Sequence, residues 1–271
     1  MQVVELTDIA QPGAGLFYHL TDAQLRSRQE PEKGIFIAEG PKVVNTALDA
    51  GYEPVSLLMR RRFTGNEQGL AIIRRCGEVP VYTADDELLA GLTGFKLQRS
   101  WVLCAMRRPA PRRIGPVLER AHRVAVLEGI NEPSNVGAIF RSAAALGADA
   151  ILLTPTCCDP LHRRAVRVCM GAVFTVPWAW TEDDAGFSLL RGHGFSTVGM
   201  ALREPCLALD DPGLQAAQKL AVYLGTEDTG LSERTVSQCD HIVKIPMAPG
   251  IDSLNVAAAA AVAFWQLRYR K

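Results

Sequence analysis

NEPSNVGAIFRSAAALGADAILL, Asn131 to Leu153, joins a helical pattern to a short apolar run. Val136, Phe140 and Ala143 or Ala144 fall on one side of the helix at three- and four-residue spacing. Ser134 or Asn135 is placed to cap its start and Gly147 to stop it. The preceding run, RVAVLEG, and the following one, AILLT, are continuous, short and apolar, as expected of strands buried on both faces. Strand, helix, strand is the unit of a parallel sheet. One residue disturbs the pattern: Arg141 lies four positions after Gly137, on the same side of the helix. Either it is a surface arginine that snorkels from a buried helix, or it serves an anionic ligand with the glycine leaving room above it.

Working outward, the alternation continues. PLHRRAVRVCMGA is expected to be helical, STVGMAL, LAVYLG and HIVKIPM to be strands, and SLNVAAAAAVAFWQLRYR to be a long final helix. Toward the N-terminus, GIFIAEG and VSLLMR alternate with helical pieces such as PKVVNTALDAG, with Pro41 at a helix start and Gly51 just past its end. RRPAPRRIGP, residues 107–116, breaks the pattern with prolines and arginines. The expected organisation is an α/β domain over residues 1–106, a linker over 107–116 and a parallel-sheet α/β domain over 117–271.

Bulk properties exclude several classes. Hydrophobic residues make up 48% and charged residues 21% of 271, and Lys+Arg and Asp+Glu are equal at 29 each. That is a globular composition with no broadly basic surface. The longest apolar run, Val256 to Trp265, is too short to span a bilayer. The opening residues lack the basic start and apolar core of a signal peptide. The seven cysteines have no metal-binding spacing, so reduced thiols in the cytoplasm and no metal are expected.

GINEPSNVG follows a strand, as a dinucleotide loop would, but it lacks G-x-G-x-x-G. The phosphate loop G-x-x-x-x-G-K-[ST] is also absent from the chain. Two other strand-to-helix loops stand out. LGTEDTGLS, Leu224 to Ser232, holds Glu227 between Gly225 and Gly230, and Ser232 is placed to cap a helix. IPMAPGIDSLNVAAAAA, Ile245 to Ala261, passes through a Pro–Gly loop to a helix starting near Ser253, with Asn255 in its first turn. Each loop alone is unremarkable.

In this order, the three stretches resemble the motifs of the SpoU/TrmH family of RNA 2'-O-ribose methyltransferases. N-x-G-x-x-x-R matches Asn135, Gly137 and Arg141. G-x-E-x-x-G-x-S matches Gly225, Glu227, Gly230 and Ser232. I-P-M followed by S-L-N-V matches Ile245 to Met247 and Ser253 to Val256. RRAVRVCMGAVF resembles the family's helix ending in M-G-A, and GIFIAEGPKVV resembles the start of its ribosomal-protein-like N-terminal substrate-binding domain. Ala257 departs from a serine often found there.

The resemblance implies a C-terminal parallel sheet threaded as a trefoil knot, preceded by a smaller α/β RNA-binding domain. It implies S-adenosyl-L-methionine as cofactor, held by Gly225, Ile245, Leu254, Met247 and Ala201. It implies a catalytic group of Arg141, Asn135, Glu227, Ser253 and Asn255, an RNA substrate with ribosomal favoured over transfer RNA, and a homodimer formed through the knotted domain. With RNA as the substrate, the arginine clusters become candidates for phosphate contact. These are Arg60, Arg61 and Arg62; Arg74 and Arg75; Arg107, Arg108, Arg112 and Arg113; and Arg163, Arg164 and Arg167. A base methyltransferase of related fold and a non-catalytic RNA-binding protein are the alternatives; the complete motif set favours the enzyme.

Overall fold

The computed structural model describes residues 3–8, 10–18, 34–93, 101–110, 113–182, 185–250 and 253–269. The chain divides into two compact units, Met1–Ala110 with Leu161–Phe174, and Pro111–Pro160 with Thr175–Lys271.

The first unit is built on a five-stranded mixed sheet. Its strands are β1 (Val3–Glu5), β2 (Ile35–Glu39), β3 (Pro54–Arg60), β4 (Val81–Ala84) and β5 (Val102–Arg107), in the order β1-β4-β3-β5-β2. The β1–β4 and β3–β4 pairs are parallel, while β5 runs antiparallel to both β2 and β3. Leu6, Phe17, Ile37, Leu58, Leu89 and Leu103 form part of its core. The segment Leu161–Phe174 belongs here by its contacts, although its neighbours in sequence belong to the second unit. Phe174 packs against Phe36 and Tyr52 at ring separations of 5.5 and 4.9 Å. Arg163 donates from both Nε and Nη2 to the buried Glu39 carboxylate, at 3.2 Å each. Burial pushes this guanidinium below its ordinary range, and Glu39 opposes the shift. The helix expected over PLHRRAVRVCMGA is shorter, Arg163–Cys169, because Met170 and Gly171 take left-handed conformations.

The second unit is a seven-stranded, all-parallel sheet: β6 (Arg123–Leu127), β7 (Ala150–Leu153), β8 (Trp178–Trp180), β9 (Ser196–Met200), β10 (Leu207–Ala208), β11 (Leu220–Leu224) and β12 (His241–Lys244). The order is β10-β12-β9-β11-β6-β7-β8. Every residue of β6, β7 and β11 is buried, as a sheet covered on both faces requires. Strand residues alternate between faces. Val124, Val126, Ala150, Leu152, Ala221 and Tyr223 face a cluster with Leu118, Phe187 and Leu190. Tyr223 stacks on Phe187 at 4.6 Å.

Elsewhere in this unit the helices Pro133–Leu146 and Val256–Gln266 pack on each other. The alanines of the second helix permit close approach, and Ala260 and Ala263 are fully buried. Two caps differ from expectation. Glu132, not Ser134 or Asn135, caps the first helix by accepting from Ser134 N. The second helix begins at Val256 and not near Ser253, and Asn255 lies just before it as its cap, accepting from Ala257 N and Ala258 N. The expected linker also begins and ends inside elements, since Arg107 closes β5 and Gly115 and Pro116 open the helix Gly115–Arg120. Among the described residues, no helix is long and apolar enough to cross a membrane.

Candidate active site

Strands β9, β11 and β12 lie side by side and parallel, so their carboxyl ends open on the same edge of the sheet. That edge is where open parallel sheets hold ligands. The loops leaving the three strands enclose a cavity of about 440 Å³. This lies within the range of roughly 300–1,000 Å³ typical of small-molecule sites. Ala201, Gly225, Ile245, Met247 and Leu254 all line it, as do Glu227 and Ser253. Asn135, Arg141 and Asn255 lie outside its lining.

The loop after β11 turns tightly. Thr226 and Gly230 exchange two backbone hydrogen bonds of 3.1 and 3.2 Å, and Gly230 has φ of 69°. A Cβ on Gly225 would stand 2.1 Å from the Gly230 carbonyl carbon and 2.3 Å from Leu231 N. Both obstacles are backbone, so only glycine fits. Ser232 then caps the helix Glu233–Gln238, accepting from Thr235 N at 3.2 Å, as expected from the sequence.

The three motifs meet through side chains. Asn255 Oδ1 is occupied by the helix cap, which leaves Nδ2 to donate. It donates to Asn135 Oδ1 at 3.1 Å and to Glu227 Oε1. Asn135 is buried, and Glu227 and Asn255 are exposed. Glu227 belongs both to this cluster and to the cavity wall. Arg141 is exposed, six residues beyond Asn135 and about 9 Å further along the helix axis. Among the described residues, Arg141 has no hydrogen-bond or ion-pair partner. Gly137 is buried on the same helix.

Among the lining residues not anticipated, Arg203, after β9, and Glu233, first residue of the capped helix, pair with each other. Their positions, just past a parallel strand and at the start of the next helix, were the available signal. Nearby, Lys244 and Glu204 pair at 2.6 Å; this bond lowers the Glu204 pKa and raises that of Lys244. Cys239 packs where a Cβ on Gly199 would stand. Burial, then Asp240 and Glu128, push its thiol up to about 12, which makes it a poor nucleophile.

Most of the arginine clusters are engaged. Arg60 pairs with Asp86 at 2.9 Å, Arg61 with Glu5, Arg75 with Asp49 and Arg107 with Glu53 at 3.3 Å. Arg163, a candidate for facing RNA, is instead held by Glu39. Arg112 lies outside the described residues.

A cavity at the carboxyl ends of a parallel α/β sheet, walled by three glycine- and proline-bearing loops, defines the class as a small-molecule-binding α/β domain. Within that class, a profile of the SpoU rRNA Methylase family matches residues 122–265. An uncharacterized tRNA/rRNA methyltransferase of Mycobacterium tuberculosis (strain ATCC 25618 / H37Rv) is 35% identical over 269 residues, covering 98% of this chain and 92% of its own. The chain belongs to the SpoU family.

Two solved structures share the fold. The AdoMet-bound rRNA methyltransferase from Sinorhizobium meliloti is 24% identical with a TM-score of 0.81, covering 98% of this chain and 97% of that one. The SpoU methyltransferase AviRb from Streptomyces viridochromogenes is 23% identical with a TM-score of 0.76, covering 92% and 96%.

Proposed function

We propose that the protein methylates a ribose 2'-hydroxyl of RNA, ribosomal RNA in preference to transfer RNA, using S-adenosyl-L-methionine. The observation that carries this reading is the Asn135–Asn255–Glu227 cluster, which joins the three motifs and reaches the cavity wall through Glu227. A cavity of this size, with apolar walls from Leu224, Ile245, Met247 and Leu254 and polar groups from Glu227 and Ser253, suits a nucleoside bearing an amino-acid tail. Bound there, the cofactor supplies a methyl carbon already activated by a sulfonium.

The chain's own residues do the rest. Gly225, Ile245, Met247, Leu254 and Ala201 position the cofactor and exclude water. Asn255 and Glu227 fix the ribose relative to it, and Asn135 holds Asn255 in place. In-line placement at near-contact distance lowers the barrier. Arg141 stays protonated, as arginine does in proteins, and is therefore a poor base. It binds a substrate phosphate and stabilises the charge growing on the 2'-oxygen, while the hydroxyl proton passes to a phosphate oxygen. Among the described residues nothing pairs with the Arg141 guanidinium, which is consistent with this role.

The test is transfer of labelled methyl from the cofactor to RNA from cells lacking the protein, followed by alkaline hydrolysis. Label in an alkali-resistant dinucleotide of ribosomal size fractions supports the proposal. Label in a modified base overturns it.

A further inference from the structure

We propose that Arg62, Phe63 and Trp101 form a stacking site for an unpaired RNA nucleotide, distinct from the cavity of the second unit. This inference rests on the proposed RNA substrate. The turn Arg61–Phe63 follows β3, and Arg60 N bonds the Trp101 carbonyl at 3.0 Å, fixing the turn beside the start of β5. Phe63 and Trp101 lie almost parallel, with centroids 4.3 Å apart and planes 10° from each other. Both are only half-buried. The Arg62 guanidinium sits 5.1 Å from the Phe63 centroid.

The charges in this turn are unequal. Arg60 is neutralised by Asp86 and Arg61 by Glu5. Arg62 is exposed and has no carboxylate partner among the described residues. An arginine over one of two parallel rings has the components that single-stranded RNA recognition uses. Trp101 covers one face of Phe63 and Arg62 stands over the same ring, so the base stacks on the outer face of Trp101, whatever its identity, while the uncompensated cation takes the adjoining phosphate. A duplex offers no free base face, so the site selects loops, bulges and ends. Its role is to hold the substrate; Arg62, Phe63 and Trp101 take no part in methyl transfer.

The test measures binding of the full-length protein to a labelled single-stranded RNA oligonucleotide and to an RNA duplex, at several salt concentrations. Trp101→Leu keeps apolar bulk and removes the aromatic face; it should weaken single-strand binding about 5- to 100-fold and leave duplex binding and cofactor affinity unchanged. Trp101→Tyr should restore it. Arg62→Ala should weaken binding and flatten the slope of log affinity against log salt by about 0.7. If folded Trp101→Leu binds single strands like wild type, with methyl transfer to RNA intact in the wild type, the stacking site is overturned and the proposed activity stands. Equal losses on single strand and duplex overturn it as well. If the wild type neither binds nor methylates RNA, both proposals fall.

Discussion

Asn255 is held at both ends of its amide: the carbonyl by two backbone donors of its own helix, the nitrogen by Asn135 and Glu227. Its two functions are therefore separable. Asn255→Asp keeps an acceptor for the cap but sets a carboxylate against Glu227, so methyl transfer should fall at least tenfold with little change in melting temperature. Asn255→Ala removes both and should also cost about 0.5–2 kcal/mol of stability; differential calorimetry beside the activity assay distinguishes the two. Gly225→Ala forces a Cβ into the Gly230 backbone. Cofactor binding, measured by calorimetric titration, should be lost even in the folded variant.

At this scale the sequence was informative about identity and silent about connection. Only the resemblance to the family's motifs placed Asn135, Glu227 and Asn255 in one group; the hydrogen bonds of Asn255 are what join them. Ser253 and Asn255 are both good caps two residues apart, and only tertiary contacts decide between them. Glu132 captured the cap of the other helix for the same reason.

Elements are held to the sheet by polar clamps as well as by apolar packing. Arg123, at the start of β6, donates from Nε to the Leu267 carbonyl and from Nη1 to the His122 and Gln218 carbonyls, at 2.9 and 3.2 Å. It thus ties the end of the final helix to the entries of β6 and β11. Burial lowers its pKa, with Asp149 acting against the shift. Arg123→Met should destabilise the protein by about 2–4 kcal/mol, since it strands buried carbonyls; a urea denaturation curve measures this. The strands around this clamp were legible because β6, β7 and β11 are continuous apolar runs. β8 and β10, of three and two residues, are too short to carry a pattern.

At the scale of the whole molecule, the run of prolines and arginines at 107–116 led to the expectation of two consecutive domains. Nothing in it pointed to Leu161–Phe174 belonging to the first unit, because Arg163–Glu39 and Phe174–Phe36 are contacts between residues more than 120 positions apart. The final helix leaves Trp265 56% and Val262 41% exposed, and the pairing of two copies that the family resemblance implies would cover this apolar face. Sedimentation equilibrium should give a dimer for the wild type and a monomer for Trp265→Glu.

The measurement closest to the central claim is a single-turnover methyl-transfer rate for Arg141→Ala at saturating cofactor, beside its cofactor affinity. Arg141 lies outside the cavity lining and, among the described residues, has no hydrogen-bond or ion-pair partner. The account predicts a rate about 10²–10³-fold lower with affinity unchanged. A wild-type rate in Arg141→Ala would contradict it.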